Sequence, residues 1–85
     1  MSPDEREILG RFVRGETLRE LPARPAPRAI VLRWLAERFE PGRRYAERDV
    51  NELLRRSHAD HALLRRCLVD HGLLERDHGV YWRPD

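Results

Sequence analysis

The 85-residue sequence contains a single cysteine, Cys67, so no disulfide can form within the chain. A lone thiol is typical of a reducing compartment. No apolar run approaches the length that spans a bilayer, and the N-terminal segment MSPDERE lacks the basic and apolar regions of a secretory signal. These absences predict a cytoplasmic protein that makes no contact with a membrane.

The motifs of catalytic sites are also missing. Ser2 and Ser57 are the only serines, neither lies in a nucleophile elbow, and the sequence has no glycine-rich phosphate loop. A chain of 85 residues must use nearly all its apolar side chains for a core and is too short to enclose a large substrate cavity. We therefore expect a protein that is not an enzyme and needs no cofactor.

The metal-binding pattern is weak. Cys67 and His71 are four residues apart on one side of a predicted helix, and His58 and His61 flank the start of that helix. Two such ligands suit zinc. The sequence has no paired CxxC and no HExxH motif, which favours a buried apolar cysteine and a helix-terminal histidine instead. No metal site is predicted.

Lysine is absent, and all 17 basic residues are arginine. The planar guanidinium group pairs with phosphate and with guanine edges, although a GC-rich genome that replaces lysine with arginine explains the same composition. The net charge is −1 over residues 1–21, +5 over residues 22–66 and −2 over residues 67–85. A surface that binds an anionic partner is therefore expected in the middle of the chain.

The N-terminal third predicts a helix followed by a proline-rich arm. Ser2 caps a helix over about residues 3–14, whose apolar stripe ends before Gly15. Residues 17–21 form either a short strand or an extended arm. The PARPAP segment at residues 22–27 is expected to be a stiff linker that is not helical, because proline removes backbone donors and fixes φ.

Two helices are predicted in the middle of the chain. Residues 28–39 are apolar on nearly every side, which indicates a helix buried on more than one face, with Trp34 and Phe39 in the core. The next helix covers about residues 47–56 and has a narrower apolar stripe.

A further helix and a hairpin complete the chain. Asp60 is a good N-cap for this helix and Gly72 ends it, and the last residues read as strand, three-residue turn with Gly79 in the left-handed conformation, and strand. This order predicts a mainly α fold with a C-terminal β-hairpin, namely a winged helix-turn-helix preceded by an N-terminal helix. Residues 1–27 are expected to pack on the winged-helix domain of residues 28–85, within one structural domain overall.

A helical wheel divides the helix over residues 60–71 into two halves. The half expected to face the core contains Leu63, Leu64, Cys67, Leu68 and His71. The outer half, which carries no acid, contains His61, Ala62, Arg65, Arg66 and Val69. A winged helix places this element in the DNA major groove. The candidate nucleic-acid-binding residues are Arg43, Arg44, His61, Ala62, Arg65, Arg66 and His78.

Two functions remain open at this point. In the first, the chain binds double-stranded DNA as a transcriptional regulator, as a homodimer because one small winged helix reads few base pairs. In the second, it is an interaction module that docks on a regulator, polymerase or ribosomal protein partner. The net charge of only +2 keeps the second function open, and Arg65 and Arg66 either contact phosphates or form ion pairs with Glu47, Asp49 and Asp70.

Three stretches resemble the bacterial family called domain of unknown function 2087: FEPGRRYAERDVNELL, HADHALLRRCLVDHGLLER and GVYWR. The segment FVRGETLRELP resembles the N-terminal lead of that family. Members occur alone or fused behind regulators of the ArsR type, so the resemblance implies a winged-helix-like fold and a regulatory role. The family signature falls on Tyr45, Glu47, Val50, Asn51, Asp60, Leu64, Arg65, Arg66, Leu68, Val69, Asp70, Gly72 and Leu73. The chain departs from it at Ala46, where the family often has a capping Ser or Thr, and at PARPAP, where a lysine-rich stretch is usual.

Overall fold

The computed structural model describes residues 2–84, within which four helices alternate with five short strands. In chain order the elements are α1 (Pro3–Phe12), β1 (Val13–Arg14), β2 (Thr17–Leu18), α2 (Pro25–Ala36), β3 (Arg44–Ala46), α3 (Glu47–Arg55), α4 (His61–Asp70), β4 (Glu75–Asp77) and β5 (Val80–Trp82). The fold is thus a mixed α and β one. It contains the predicted C-terminal hairpin and, at residues 17–21, where a strand or an arm was predicted, the strand β2; β1 and β3 were not predicted.

The N-terminal helix begins where the sequence predicts, because the hydroxyl of Ser2 accepts a hydrogen bond from the backbone N–H of Glu5 at 3.2 Å. It ends two residues earlier than predicted, since the chain turns directly into a β-hairpin. β1 and β2 pair antiparallel, with Val13 opposite Leu18. The segment predicted as a strand or an arm therefore starts as a strand.

The proline-rich segment is only in part the non-helical linker that we predicted, because residues 22–24 are not helical but residues 25–27 are. α2 begins at Pro25, and Pro27 also lies in its first turn. Proline is tolerated there because the first N–H groups of a helix have no hydrogen-bond partner within the helix. The first backbone hydrogen bond of α2 is the one that the N–H of Arg28 donates to the carbonyl of Arg24 at 3.0 Å. The boundary expected after Pro27 therefore falls inside α2.

α2 is the central helix of the core. Its buried residues are Ile30, Val31, Leu32, Leu35 and Ala36. Both α1 and α4 pack against it, so the predicted burial on more than one face is confirmed. Residues of α1, β2, α3, the sheet and the loops join the same core cluster, and Leu9 and Leu18 tie the N-terminal segment to it.

The two aromatic residues predicted for the core have different environments. Phe39 is 1% exposed and packs edge-to-face on Tyr45, with ring centroids 5.2 Å apart. Trp34 packs against the core cluster but is only half-buried, so it lies at the edge of the core rather than within it. Its indole is covered by the Arg38 guanidinium, whose central carbon lies 4.0 Å from the ring centroid. Desolvation by burial there lowers the pKa of Arg38 from its ordinary value.

The C-terminal hairpin belongs to a three-stranded antiparallel sheet with the order β3-β5-β4. Tyr45 of β3 pairs with Tyr81 of β5, which pairs in turn with Arg76 of β4. Both tyrosines are buried, so this face of the sheet packs on the core. The turn has two residues rather than three, because both His78 (φ 50°) and Gly79 (φ 78°) adopt the left-handed conformation that joins twisted strands.

The pair α3 and α4 follows the prediction closely. α3 ends one residue earlier than predicted, and the carboxylate of Asp60 caps α4 by accepting a hydrogen bond from the N–H of Leu63 at 3.3 Å. α4 ends before Gly72, and the two helices pack on each other. Within residues 2–84, no helix combines the length and apolarity needed to cross a membrane.

Candidate nucleic-acid interface

α4 matches the two halves of the helical wheel only in part. His71, which was predicted to face the core, is exposed, and four residues of the predicted outer half are half-buried: His61, Ala62, Arg65 and Val69. Leu64, Cys67 and Leu68 are at most 5% exposed and fix the helix to the core. Arg66 is exposed on the opposite side, next to the half-buried Arg65. The outward half of α4 is therefore basic and accessible along its middle turn.

Arg65 is held by α3. Its Nη1 donates a hydrogen bond to the Oδ1 of Asn51, and its Nε lies 3.9 Å from the Oε1 of Glu47. The side chain of Arg65 is 22% exposed, whereas that of Glu47 is 48% exposed. Of the two alternatives for this arginine pair, phosphate contacts or ion pairs within the chain, the ion pair applies to Arg65, and its acid is Glu47.

Arg66 differs from its neighbour, since within residues 2–84 it has no ion pair and no side-chain hydrogen bond. It faces a groove of about 280 Å³ between the C-terminal half of α4 and the hairpin. The residues that line this α4–β4 groove are Arg65, Arg66, Val69, Asp70, Arg76 and Tyr81. Asp70 makes no ion pair with these arginines, so the groove carries an excess of positive charge.

Arg76 is a candidate that the sequence analysis missed. It lies on β4 directly opposite Tyr81, on the face of the sheet that packs towards the core. The Tyr81 hydroxyl donates to the Oε1 of Glu47 at 2.8 Å, the same oxygen that Arg65 approaches. The predicted three-residue turn gave the wrong register for the hairpin. With the two-residue turn, Arg76 lies opposite Tyr81 and therefore on the same face of the sheet.

Arg43 and Arg44 lie elsewhere. They line a separate depression of about 340 Å³ that shares no residue with the α4–β4 groove. Arg43 is 3.8 Å from the carboxylate of Glu40, and the Arg44 guanidinium carbon lies 4.4 Å from the Trp82 ring centroid. The acids Asp49 and Glu52 of α3 line the same depression. The structure therefore does not bring these two arginines to the outward face of α4.

The remaining candidates lie at the two ends of the interface. His61 and Ala62 form the first turn of α4 and are half-buried. The Nδ1 atom of His61 is buried without a hydrogen-bond partner within residues 2–84. His78 occupies the hairpin turn with 93% of its side chain exposed, and it lines a second depression that shares Arg76 and Tyr81 with the α4–β4 groove.

Cys67 and His71, the two residues on one side of α4 that were considered for zinc, have other partners. The Sγ of Cys67 accepts a hydrogen bond from Nη2 of Arg28 at 3.0 Å, and the Nδ1 of His71 lies 3.0 Å from the carbonyl oxygen of Cys67. Across the part of the chain that the structure describes, no three His, Cys, Asp or Glu side chains are grouped as metal ligands.

The fold and this site define a small mixed α and β protein with a basic groove between a helix and a hairpin. Residues 17–83 match the family described as "Uncharacterized protein conserved in bacteria (DUF2087)". The chain belongs to this family, which confirms the resemblance found in its motifs. Comparisons with curated proteins and with solved structures give no match.

Proposed function

We propose that this chain is a winged-helix DNA-binding protein that acts in transcriptional regulation, with α4 as its recognition helix. The observation that carries the proposal is the order of elements: helix α2, strand β3, helices α3 and α4, and then the hairpin β4–β5, with β3 paired to β5. A winged helix has this order of elements. The second helix of its helix-turn-helix pair, which corresponds to α4, enters the major groove.

The charge on the outward half of α4 supports the same function. Arg66 and Arg76 are exposed and have no acidic partner within residues 2–84. His78 lies at the tip of the hairpin, where its Nδ1 is 2.7 Å from the Oδ1 of Asp77, so it adds no unpaired charge to this surface. Guanidinium groups in this position replace the counterions of DNA phosphates, which is the main source of affinity in such complexes. The first turn of α4, with His61 and Ala62, is free of acids and can approach base edges.

The proposed form of the complex is a homodimer on two half-sites. One recognition helix contacts only a few base pairs, so a monomer of this size gives little discrimination against other sequences. A dimer doubles the number of contacts and requires half-sites about one helical turn apart. DNA footprints of that spacing are therefore expected.

Fluorescence anisotropy with a labelled duplex of about 20 base pairs, two helical turns, tests the proposal. For an arbitrary sequence we expect a Kd of about 10⁻⁴ to 10⁻⁶ M at physiological salt, with tighter binding at about 50 mM and a loss of affinity towards 200 mM. Selection from a randomised duplex pool should then enrich a palindromic site. The absence of any binding at low salt would rule out DNA as the partner.

A second function, a protein-interaction module that docks on a regulator, polymerase or ribosomal protein, is favoured by one observation. Arg65 is turned towards Glu47 and Asn51 of α3, so only one of the two adjacent arginines of α4 is available to a ligand. Affinity purification of the tagged chain with and without nuclease treatment separates the two functions. Enrichment of a single protein that survives nuclease, together with no DNA binding, supports the second.

A further inference from the structure

We propose that the α4–β4 groove is a phosphate-binding site in which Arg66 and Arg76 are the donors. The inference rests on the proposed function for the source of the phosphate, which is the DNA backbone. It assigns different roles to the two ends of α4: the C-terminal half contacts the backbone, while the first turn with His61 and Ala62 faces the bases.

The first step of the argument concerns the available donors. Arg66 and Arg76 come from different elements, α4 and β4, and they line the same groove without an acidic partner within residues 2–84. Two guanidinium groups that face one groove repel each other unless an anion lies between them. A phosphate oxygen accepts hydrogen bonds from both, because each guanidinium presents its donors in a planar fork.

The second step concerns the rigidity of the groove. Tyr81 is 1% exposed and its hydroxyl is bonded to Glu47, which also lies 3.9 Å from Arg65. Arg65 is in turn bonded to Asn51. This network joins α3, α4 and β5, so that of the three arginines that line the groove Arg66 and Arg76 are the two left to move onto a ligand.

The third step weighs the groups that oppose an anion. The Asp70 carboxylate lines the groove, and the C-terminal end of α4 has a partial negative charge. The full positive charges of Arg66 and Arg76 are larger than these negative charges together. The charge of Arg65 adds little, because Glu47 lies 3.9 Å from it. One doubly coordinated oxygen of a phosphodiester fits this balance, whereas a base edge offers no negative charge to offset the arginines.

The test combines two titrations with the full chain and the variants Arg66→Ala and Arg76→Ala. Arg6→Ala serves as the matched control, since Arg6 is an exposed arginine of α1 outside the groove and its removal changes the net charge equally. Far-UV circular dichroism verifies folding. Arg76→Lys keeps the charge but loses the planar fork, so it should restore part of the binding.

In the first titration, inorganic phosphate is added to the ¹⁵N-labelled protein, and the arginine Nε–Hε resonances are followed by NMR. The resonances of Arg66 and Arg76 should shift. The shift of Arg66 should be lost in Arg76→Ala, and the shift of Arg76 should be lost in Arg66→Ala. In the second, duplex DNA is bound at a series of salt concentrations. Each groove variant should reduce the steepness of log K against log salt by about one per bound monomer for every duplex sequence, without a change in sequence preference.

The outcomes separate the site from the function. If the resonances shift with inorganic phosphate but no duplex binds, the groove is a phosphate site for a free, small ligand. That outcome would reject the proposed function and keep the inference about the groove. Groove variants that change the preference at one base pair with an unaltered salt slope would overturn the inference, because the arginines would then read bases. Slopes and resonances identical to those of Arg6→Ala would also overturn it.

Discussion

Replacing Arg65 by alanine should destabilise the protein, whereas the same change at the adjacent Arg66 should not. Arg65 donates to the amide oxygen of Asn51, and a hydrogen bond from a charged donor contributes about 1.5–3 kcal/mol. Its pairing with Glu47 at 3.9 Å adds at most about 1 kcal/mol, since Glu47 is half-exposed. We expect a loss of about 2 kcal/mol for Arg65→Ala and a change within about 0.5 kcal/mol for Arg66→Ala.

Thermal and urea unfolding followed by circular dichroism measure this difference. For a domain of 85 residues, the loss at Arg65 should lower the Tm by about 10 °C. Asn51→Ala should have a similar effect, and the double variant should cost less than the two single changes together, by about 1 kcal/mol. If Arg65→Ala and Arg66→Ala melt within about 2 °C of each other, Arg65 does not hold α4 on α3.

Two further predictions concern the core and the helix caps. Phe39→Ala should lower the free energy of unfolding by about 3–5 kcal/mol. Trp34→Ala should lower it by roughly half as much, because Trp34 is half-buried under Arg38. Equal losses in urea unfolding would contradict this difference. Asp60→Ala removes the cap of α4 and should cost about 1 kcal/mol. Ala46→Ser adds a missing cap to α3 and should stabilise the protein by about 0.5–1 kcal/mol; a neutral Ala46→Ser would mean that the new hydroxyl accepts no hydrogen bond from the N–H of Arg48 or Asp49.

The helices were predictable because their signals are local. Ser2 and Asp60 are capping residues followed by apolar positions at helical spacing, and both cap as expected. The PARPAP segment misled the prediction because proline both breaks and begins helices, and only the packing of the following apolar face decides which. β3 was missed because three residues carry no periodicity, and its strand conformation depends on pairing with β5, far away in the chain.

The site was predictable only in part, for a related reason. The helical wheel placed Arg65 and Arg66 on the same outward half of α4, and the sequence could not show that Asn51 holds one of them. Arg76 reaches the groove only because β4 pairs with β5, a contact set by the turn at His78. Arg43 and Arg44 precede α3 in the chain but face the depression on its other side, which depends on how β3 enters the sheet.

The net charge of a segment does not give the charge of a surface, because it ignores which charged side chains already have partners. Residues 22–66 carry a net +5, yet Arg65 and several other arginines of this segment already contact acids or aromatic rings. Arg76 belongs to the segment of net −2 and nevertheless lies opposite Arg66 in the α4–β4 groove. The field at the groove therefore depends on two unpaired side chains rather than on the total of 17 arginines. If the chain binds DNA as we propose, each monomer neutralises few phosphates, and removing either arginine should change a large share of the salt-dependent affinity.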